Sequence, residues 1–540
     1  MTTYLPPSLS KGHRLRVTQA QTPVTRAPAA HHSIITAAVL ALALLLSACE
    51  VGPDYTPDAP PQSTRYTPDI QPSTFTATSS TPLSRQEGPQ TLMSGRDIPG
   101  DWWTLFHSPA LDALIRRALL ANPTLEAAQA ALRQARENVY AQQGAFFPAI
   151  AANLSPSRNK TATGNLSPNS ASGNPYYSIV TAQLTVSYVP DVFGANRRAV
   201  ESLQAQAQSQ RWQLEATYLT LTSNVVAAAI QEAGLRAQID ATNRVIGFAT
   251  EGLRVLNKQK DLGQVSGAEV FSQAALLAQA QATLPPLEKQ LAQNRNQLAA
   301  LTGRLPDQLV PETFHLADLQ LPAELPLSIP SEVINQRPDI LQATETARAA
   351  SAQIGVAVAN RIPAIALTAN LGSSPGSFAN LFTPGNGFFS IAAAITQPIF
   401  QGGQLLHRQR ATEAAFDQAQ NQYRSTVLTA FQNVADALQA LRTDADAVRA
   451  ARYAAETAGA GLQIVRTQLR LGQVAYLALL ISEQLELQAQ LTLAQAQSNR
   501  LADTAALMQA LGGGWWNRTD VRVDDVNGKS LLGILGLRRP

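Results

Sequence analysis

One cysteine, Cys49, in 540 residues leaves no partner for an intramolecular disulfide. The six histidines are too scattered for a metal centre: His13, His31 and His32 fall in the first 50 residues, and His107, His315 and His407 stand alone. No G-x-x-x-x-G-K-[ST] loop is present, so nucleotide-driven work has to come from a partner. No cofactor motif is visible, and no nucleophile and base converge in the pattern, which argues against an enzyme. No apolar run reaches the roughly 20 residues that a membrane-spanning helix needs. The longest, Ile34 to Leu46, has 13 apolar or small residues. Aromatic residues are 6% of the chain against 45% hydrophobic overall, a balance suited to long Ala- and Gln-rich helices rather than a compact aromatic core.

The formal charge of +3 is also misleading. Lys11, Arg14, Arg16 and Arg26 precede Cys49 with no acidic residue among them, and beyond that leader 37 basic residues face 38 acidic ones. The basic excess therefore belongs to the leader, and nucleic acid is not an expected partner. A basic stretch, the 13-residue run and then Leu46-Ser47-Ala48-Cys49 have the layout of a signal peptide over residues 1–48. Its end resembles a bacterial lipobox, in which Cys49 becomes the acylated first residue and holds the protein to outer-membrane lipid. An ordinary signal peptide with an incidental cysteine is the alternative. Glu50 follows, where Asp would favour retention in the inner membrane. Residues 49–100 are rich in Pro, Ser and Thr and read as an extended tether lying against the body.

From Trp102 the chain divides into two similar halves. Asn122-Pro123-Thr124-Leu125 is echoed by Arg337-Pro338-Asp339-Ile340, and Phe147-Pro148-Ala149-Ile150 by Ile362-Pro363-Ala364-Ile365, both 215 residues on. Pro190 answers Pro398 at an offset of 208, and Leu262-Gly263-Gln264-Val265 recurs as Leu471-Gly472-Gln473-Val474 at 209. The expected boundaries are a first repeat over 101–305, a Pro-rich connector over 306–330, a second repeat over 331–516 and a tail over 517–540.

Within each half a period of two marks a pair of strands. They are expected at about 149–157 and 176–189, then at about 364–373 and 387–397. Val180, Ala182, Leu184 and Val186 alternate with Thr181, Gln183 and Thr185 in the clearest example. Proline-free tracts follow each pair. Val192 to Leu262 as one helix would be about 107 Å long, and Gln404 to Leu471 about 102 Å. Val427, Phe431, Val434, Leu438, Leu441, Ala445 and Val448 recur at alternating spacings of four and three, a coiled-coil pattern. Each tract runs into Leu-Gly-Gln-Val, where Gly263 and Gly472 can end a helix in the left-handed conformation. Residues 262–267 and 471–476 therefore read as the tips of two helical hairpins. Pro285-Pro286 should kink or break the returning helix of the first. Asp444 and Asp446 read as surface charges. Gly512-Gly513-Gly514 before Trp515-Trp516 reads as a chain stop with an aromatic anchor, a ligand loop being the alternative.

The strands are long enough to cross a membrane tilted, but four cannot close a barrel and an open edge is excluded in lipid. If they span a membrane, several copies must share one barrel. Two copies give eight strands, filled by side chains, and three give twelve, with room for water. The alternatives are a small soluble sheet beside a coiled coil, as in a lipoprotein scaffold, and a periplasmic enzyme.

The stretches DWWTLFHSPALDALIRRALLANPTLEAAQAALRQAR, LSAC followed by VGPDY, RPDILQATETARAASAQIGVAVANRIPAIALTANLG, LPPLEKQLAQNRNQLAALTGRLP and the closing ALGGGWW carry a resemblance. Over roughly Cys49 to Trp516 the chain resembles the TolC-related outer membrane factor family, the NodT-type efflux lipoproteins. The resemblance implies an α+β membrane protein and a homotrimer: a long antiparallel α-helical barrel continuous with a twelve-stranded transmembrane β-barrel. It implies the passive exit duct of a tripartite efflux pump in the outer membrane of a Gram-negative bacterium. Its partners would be a periplasmic adaptor and an inner-membrane transporter of the RND type. In that family the hairpin tips dock the adaptor and form the aperture, which places those roles on Leu262, Gly263, Val265 and Ser266 and on Leu471, Gly472, Val474 and Ala475. The family's charged gating residues have no clear match; Arg466, Gln468 and Arg470 are candidates, against a reading as solvated helix surface.

Overall fold

The computed structural model describes residues 51–518, apart from positions 58, 60–62, 64, 69–73, 76–87, 161–174 and 309. The leader, Cys49 and the tail from 519 lie outside the described residues.

Two short strands, β1 (Thr74–Phe75) and β2 (Gln90–Ser94), precede helices α1 (Pro109–Ala121) and α2 (Pro123–Gln143). Pro123 sits in the first turn of α2, and the Asn122 side chain caps it by accepting from the amides of Thr124 and Leu125. Strands β3 (Ala149–Lys160) and β4 (Tyr176–Tyr188) lead into α3 (Ala195–Asp261), which turns back as α4 (Gly267–Leu301). After β5 (Glu324–Leu327) and α5 (Pro330–Gln336) the order recurs as α6 (Pro338–Ala359), β6 (Ala364–Ser373), β7 (Gly387–Thr396), α7 (Gln404–Arg470) and α8 (Tyr476–Ala510). α3 and α7 each have 67 residues and α4 and α8 each have 35, or about 100 Å and about 52 Å of helix.

The short helices share the length of the long ones. Next to the sheet, α2 packs on α3, α3 on α6 and α6 on α7; towards the hairpin tips, α4 packs on α3, α3 on α8 and α8 on α7. Four helices therefore stand side by side at either level. The spacing read from the sequence is met in the packing: Val427, Val434, Leu438, Leu441, Ala445 and Val448 are buried on α7, and Phe431 packs against Val427 and Ile340 at half-burial.

Pro285 and Pro286 do not interrupt α4, which runs unbroken from Gly267 to Leu301. Both prolines are exposed, so carbonyls that lose an amide partner face water rather than core. The Thr283 hydroxyl also donates to the Ala280 carbonyl at 2.7 Å.

Between the two levels lies a belt. Its sheet has the order β1-β2-β5, with β2 and β5 parallel. The sequence pattern gave no strand in residues 50–100, yet β1 and β2 come from there: β1 pairs with β2, and β2 pairs with the sequence-distant β5. Upstream, Arg198 on α3 fixes the segment after position 50: it donates to the carbonyls of Val51 and Gly52 and to the Asp54 carboxylate at 2.7 Å. Further along, the Tyr55 ring meets Phe416 at 6.5 Å and the Tyr66 ring meets Phe431 at 5.8 Å, so the segment follows α7.

The chain end is tied into the same belt. Gly512, Gly513 and Gly514 all have positive φ, and a Cβ on Gly514 would lie 2.4 Å from the Pro99 carbonyl oxygen and 2.5 Å from that of Ile98. One on Gly513 would meet Leu219 at 2.2 Å. Trp515 donates to the Gln336 carbonyl, Trp516 to Asp97 and Asn517 to the Ile98 carbonyl. Arg518 pairs with buried Glu215 at 2.9 Å and lies over the Tyr218 ring. Trp515 and Trp516 act here as the aromatic anchor the sequence suggested, and Asn517 and Arg518 add polar ties beyond it.

Asp446 is exposed, but Asp444 is half-buried between α7 and α8, contrary to the reading of both as surface charges. Burial, with the Asp503 carboxyl hydrogen-bonded to it, pushes Asp444 up to about 7, and Arg500 works against this. Its proton is thus held in the folded protein near neutral pH and lost in the unfolded chain near pH 4. The resulting stability is fully present below pH 4 and lost as pH rises through 7. The melting temperature of the purified protein should therefore fall between pH 5 and 8, and Asp444→Asn should flatten that profile in a thermal scan.

Candidate functional site

The second sheet has the order β3-β4-β6-β7, antiparallel throughout. Its register sorts the side chains by face. Ile150, Val186, Ala369 and Ile391 stand in one cross-strand row, and Ala152, Leu184, Leu371 and Phe389 in the next row on the same face. The opposite face carries Ala151, Thr185, Asn370 and Ser390 in one row and Asn153, Gln183, Gly372 and Phe388 in another. Thr185 donates to Asn370 Oδ1 at 2.9 Å, and Asn370 Nδ2 donates to Ser390 at 3.1 Å. The polar face is thus a ladder of amides and hydroxyls without charge. Arg158 and Lys160, at the end of β3 away from the helices, are the only ionisable groups of the four strands apart from tyrosines.

Most of the apolar face is uncovered within the protomer: Ile391 is 81% exposed and Phe389 77%, whereas Val180 near the far end of β4 is buried. Among the described residues the outer edges of β3 and β7 have no strand partner. Among the same residues no helix is long and apolar enough to cross a membrane, and no group of three His, Cys, Asp or Glu side chains could hold a metal ion.

At the far end of the helices the two tips share one geometry. Gly263 (φ +68°) donates to the Lys260 carbonyl and Gln264 to that of Gln259; Gly472 (φ +73°) donates to Leu469 and Gln473 to Gln468. Both are Schellman endings, in which only glycine takes the left-handed position without strain. Leu262 and Leu471 are exposed, while Val265 and Val474 are half-buried. The returning helices start differently. Ser266 and Glu269 form a reciprocal capping box on α4, whereas Ala475 offers α8 no side-chain cap.

About one and a half turns before the second tip, Arg466 joins both hairpins. Its guanidinium lies 3.5 Å from Glu483 on α8 and 4.5 Å from the centre of the Phe248 ring on α3. Glu483 is buried, which pushes its carboxyl up, while Arg466 pulls it back. Burial and the Glu483 charge push the Tyr476 hydroxyl up to about 12. That hydroxyl sits 2.6 Å from where a Cβ on Gly252 would be, beside the amide of buried Gln273. Of the three candidates named from the sequence, Arg466 is the one engaged across hairpins. Arg470 contacts Thr467 on its own helix, and the Gln468 carbonyl serves the turn. Phe248, Gln273 and Glu483 escaped the sequence reading, because each gains meaning only from a residue on another helix; Gly252 was read only as a point where the long helix could bend, and Tyr476 only as part of the tip.

An uncharged polar sheet face backed by an apolar one, standing on helices about 100 Å long, fits a channel protein of the outer membrane. The chain belongs to the outer membrane efflux protein family, whose model matches residues 114–304 and 329–513. It is 30% identical over 416 residues to the pyoverdine export outer membrane protein OpmQ of Pseudomonas putida, covering 77% of this chain and 88% of that one. Among solved structures it is similar to the outer-membrane channel OprN (TM-score 0.74, 26% identity, 86% of this chain and 100% of that one). It is also similar to the open state of the MtrE outer membrane channel of Neisseria gonorrhoeae (TM-score 0.73, 26% identity, 88% and 100%). The protein is an outer-membrane efflux channel.

Proposed function

We propose that three copies close one twelve-stranded barrel through the free edges of β3 and β7, and that their hairpins form a helical tube continuous with it. The two halves, 101–305 and 331–516, act as repeats joined by the connector at 306–330. The assembly is the passive exit duct of a tripartite pump: a periplasmic adaptor docks on Leu262, Gly263, Val265 and Ser266 and on Leu471, Gly472, Val474 and Ala475. An inner-membrane RND transporter supplies the energy, and acylated Cys49 adds a lipid anchor. The observation that carries this reading is an amphipathic sheet with two open edges, which lipid tolerates only when closed. The neutral polar face supports passive conduction, since it offers no fixed charge to select a solute. Purified protein should run as a trimer resistant to detergent and pass current in unitary steps across a planar bilayer. A monomer without conductance would overturn the proposal.

Gly472→Ile tests the docking role. The space around Gly472 is open, so the substitution strains only the left-handed turn, at roughly 1–2 kcal/mol. Trimers should persist while dye and drug resistance falls several-fold in a strain that depends on this channel. Unchanged resistance would remove the tips from the docking surface.

A further inference from the structure

Between β7 and α7 the chain runs through Gln397-Pro398-Ile399-Phe400-Gln401-Gly402-Gly403. Ile399 and Phe400 are 89% and 87% exposed, among the most exposed large apolar side chains of the protein. Ile399 and Phe400 follow within four residues of Thr396, the last paired residue of β7, and so stand just beyond that end of the sheet. Beside the pair is a shallow cavity of about 300 Å³, whose lining includes Arg361, Ile399, Phe400, Leu405 and Leu406. Arg410 stands one turn along α7 from Leu406 and on the same face, and His407 and Arg408 are exposed next to it.

No carboxylate occurs from Arg361 to Thr412. The equivalent joint of the first half is built otherwise. There Asp191, 208 residues before Ile399, accepts from the amides of Asn196 and Arg197 at 2.9 and 2.8 Å and pairs with the Arg197 side chain. The second joint has an exposed isoleucine where the first has that acid.

We infer that the β7–α7 joint is a docking surface for anionic phospholipid of the periplasmic leaflet. Ile399, Phe400 and Leu406 meet the upper acyl chains, while Arg361 and Arg410 face the phosphate. The inference rests on the sheet spanning the membrane but not on the adaptor or transporter. Membrane-surface attraction of clustered arginines and apolar burial act together at such a site. Neither feature alone explains why the two are adjacent.

The test uses full-length Phe400→Trp reconstituted into vesicles of phosphatidylcholine or phosphatidylglycerol, with acyl chains brominated near the headgroup or left unmodified. The emission added over the parent protein should fall at least two-fold on bromination, and more strongly in phosphatidylglycerol. Arg361→Gln with Arg410→Gln should abolish the preference for phosphatidylglycerol and keep the quenching. Should Phe400→Trp fail to insert, Ile399→Trp carries the same probe. Emission indifferent to bromination, with unitary conductance like the parent's, would overturn the inference and show the joint covered by protein, leaving the channel reading intact. Equal quenching in both lipids would equally overturn the anionic site. Loss of conductance in the parent protein would instead defeat the channel reading.

Discussion

Gly514→Val should keep the protein from accumulating in the outer membrane. The residue has φ +69°, a region that a β-branched side chain avoids. Its Cβ would stand 2.4 and 2.5 Å from two backbone carbonyl oxygens, and backbone cannot yield as a flexible side chain can. The damage also spreads, because this turn aims Trp515, Trp516, Asn517 and Arg518 at four different partners, and Arg518 is the cation paired with buried Glu215. Strain, clash and the loss of the Arg518 contact to Glu215 together place the loss above about 4 kcal/mol, at the extreme of single substitutions. Gly459→Ala is the control: it lies inside α7 with open space around it, and alanine there should stabilise by up to about 1 kcal/mol. Immunoblots of outer-membrane fractions and melting of the purified proteins would read both. Normal amounts of Gly514→Val protein would show that the belt does not depend on this closure.

The second large effect separates the two faces of the membrane sheet. Ile391→Arg puts a charge at the middle of β7 on the apolar face, and Ser390→Arg puts one a residue away on the polar face. In lipid the first costs about 2–4 kcal/mol per copy at the midplane, repeated in each copy of an assembly. Insertion should fail. Ser390→Arg should insert and lower the conductance, with selectivity moving towards anions. A soluble sheet would reverse the expectation: a residue 81% exposed to water accepts arginine with a change within about 0.5 kcal/mol. Membrane fractionation followed by bilayer recording distinguishes the cases, and Ile391→Arg protein found in the outer membrane with normal currents would defeat the assignment of faces.

Local pattern carried much of this architecture. Alternation of apolar and polar residues is a property of one strand, so the four membrane strands could be read singly, even to within a few residues of their ends. The glycine of each Leu-Gly-Gln-Val turn was legible for the same reason: a helix ending is decided by its own last turn. Other features depend on what a residue meets. β2 has too little pattern of its own and exists because β5 lies beside it. Asp444 resembles any helical surface acid until Asp503 stands across from it. Arg466 was visible as a cation near a tip, whereas its aromatic and acidic neighbours lie on separate helices. Pro285 and Pro286 misled in the opposite direction. Their effect on a helix is usually local, but here exposure lets water take over the lost backbone bonds.

The division of length between short and long helices has a mechanical consequence. With α2 and α6 serving the membrane end and α4 and α8 the far end, each copy contributes the same number of staves at both levels. The three-copy assembly proposed above could not taper by dropping a stave, so a constriction at its far end would have to come from leaning the helices inward.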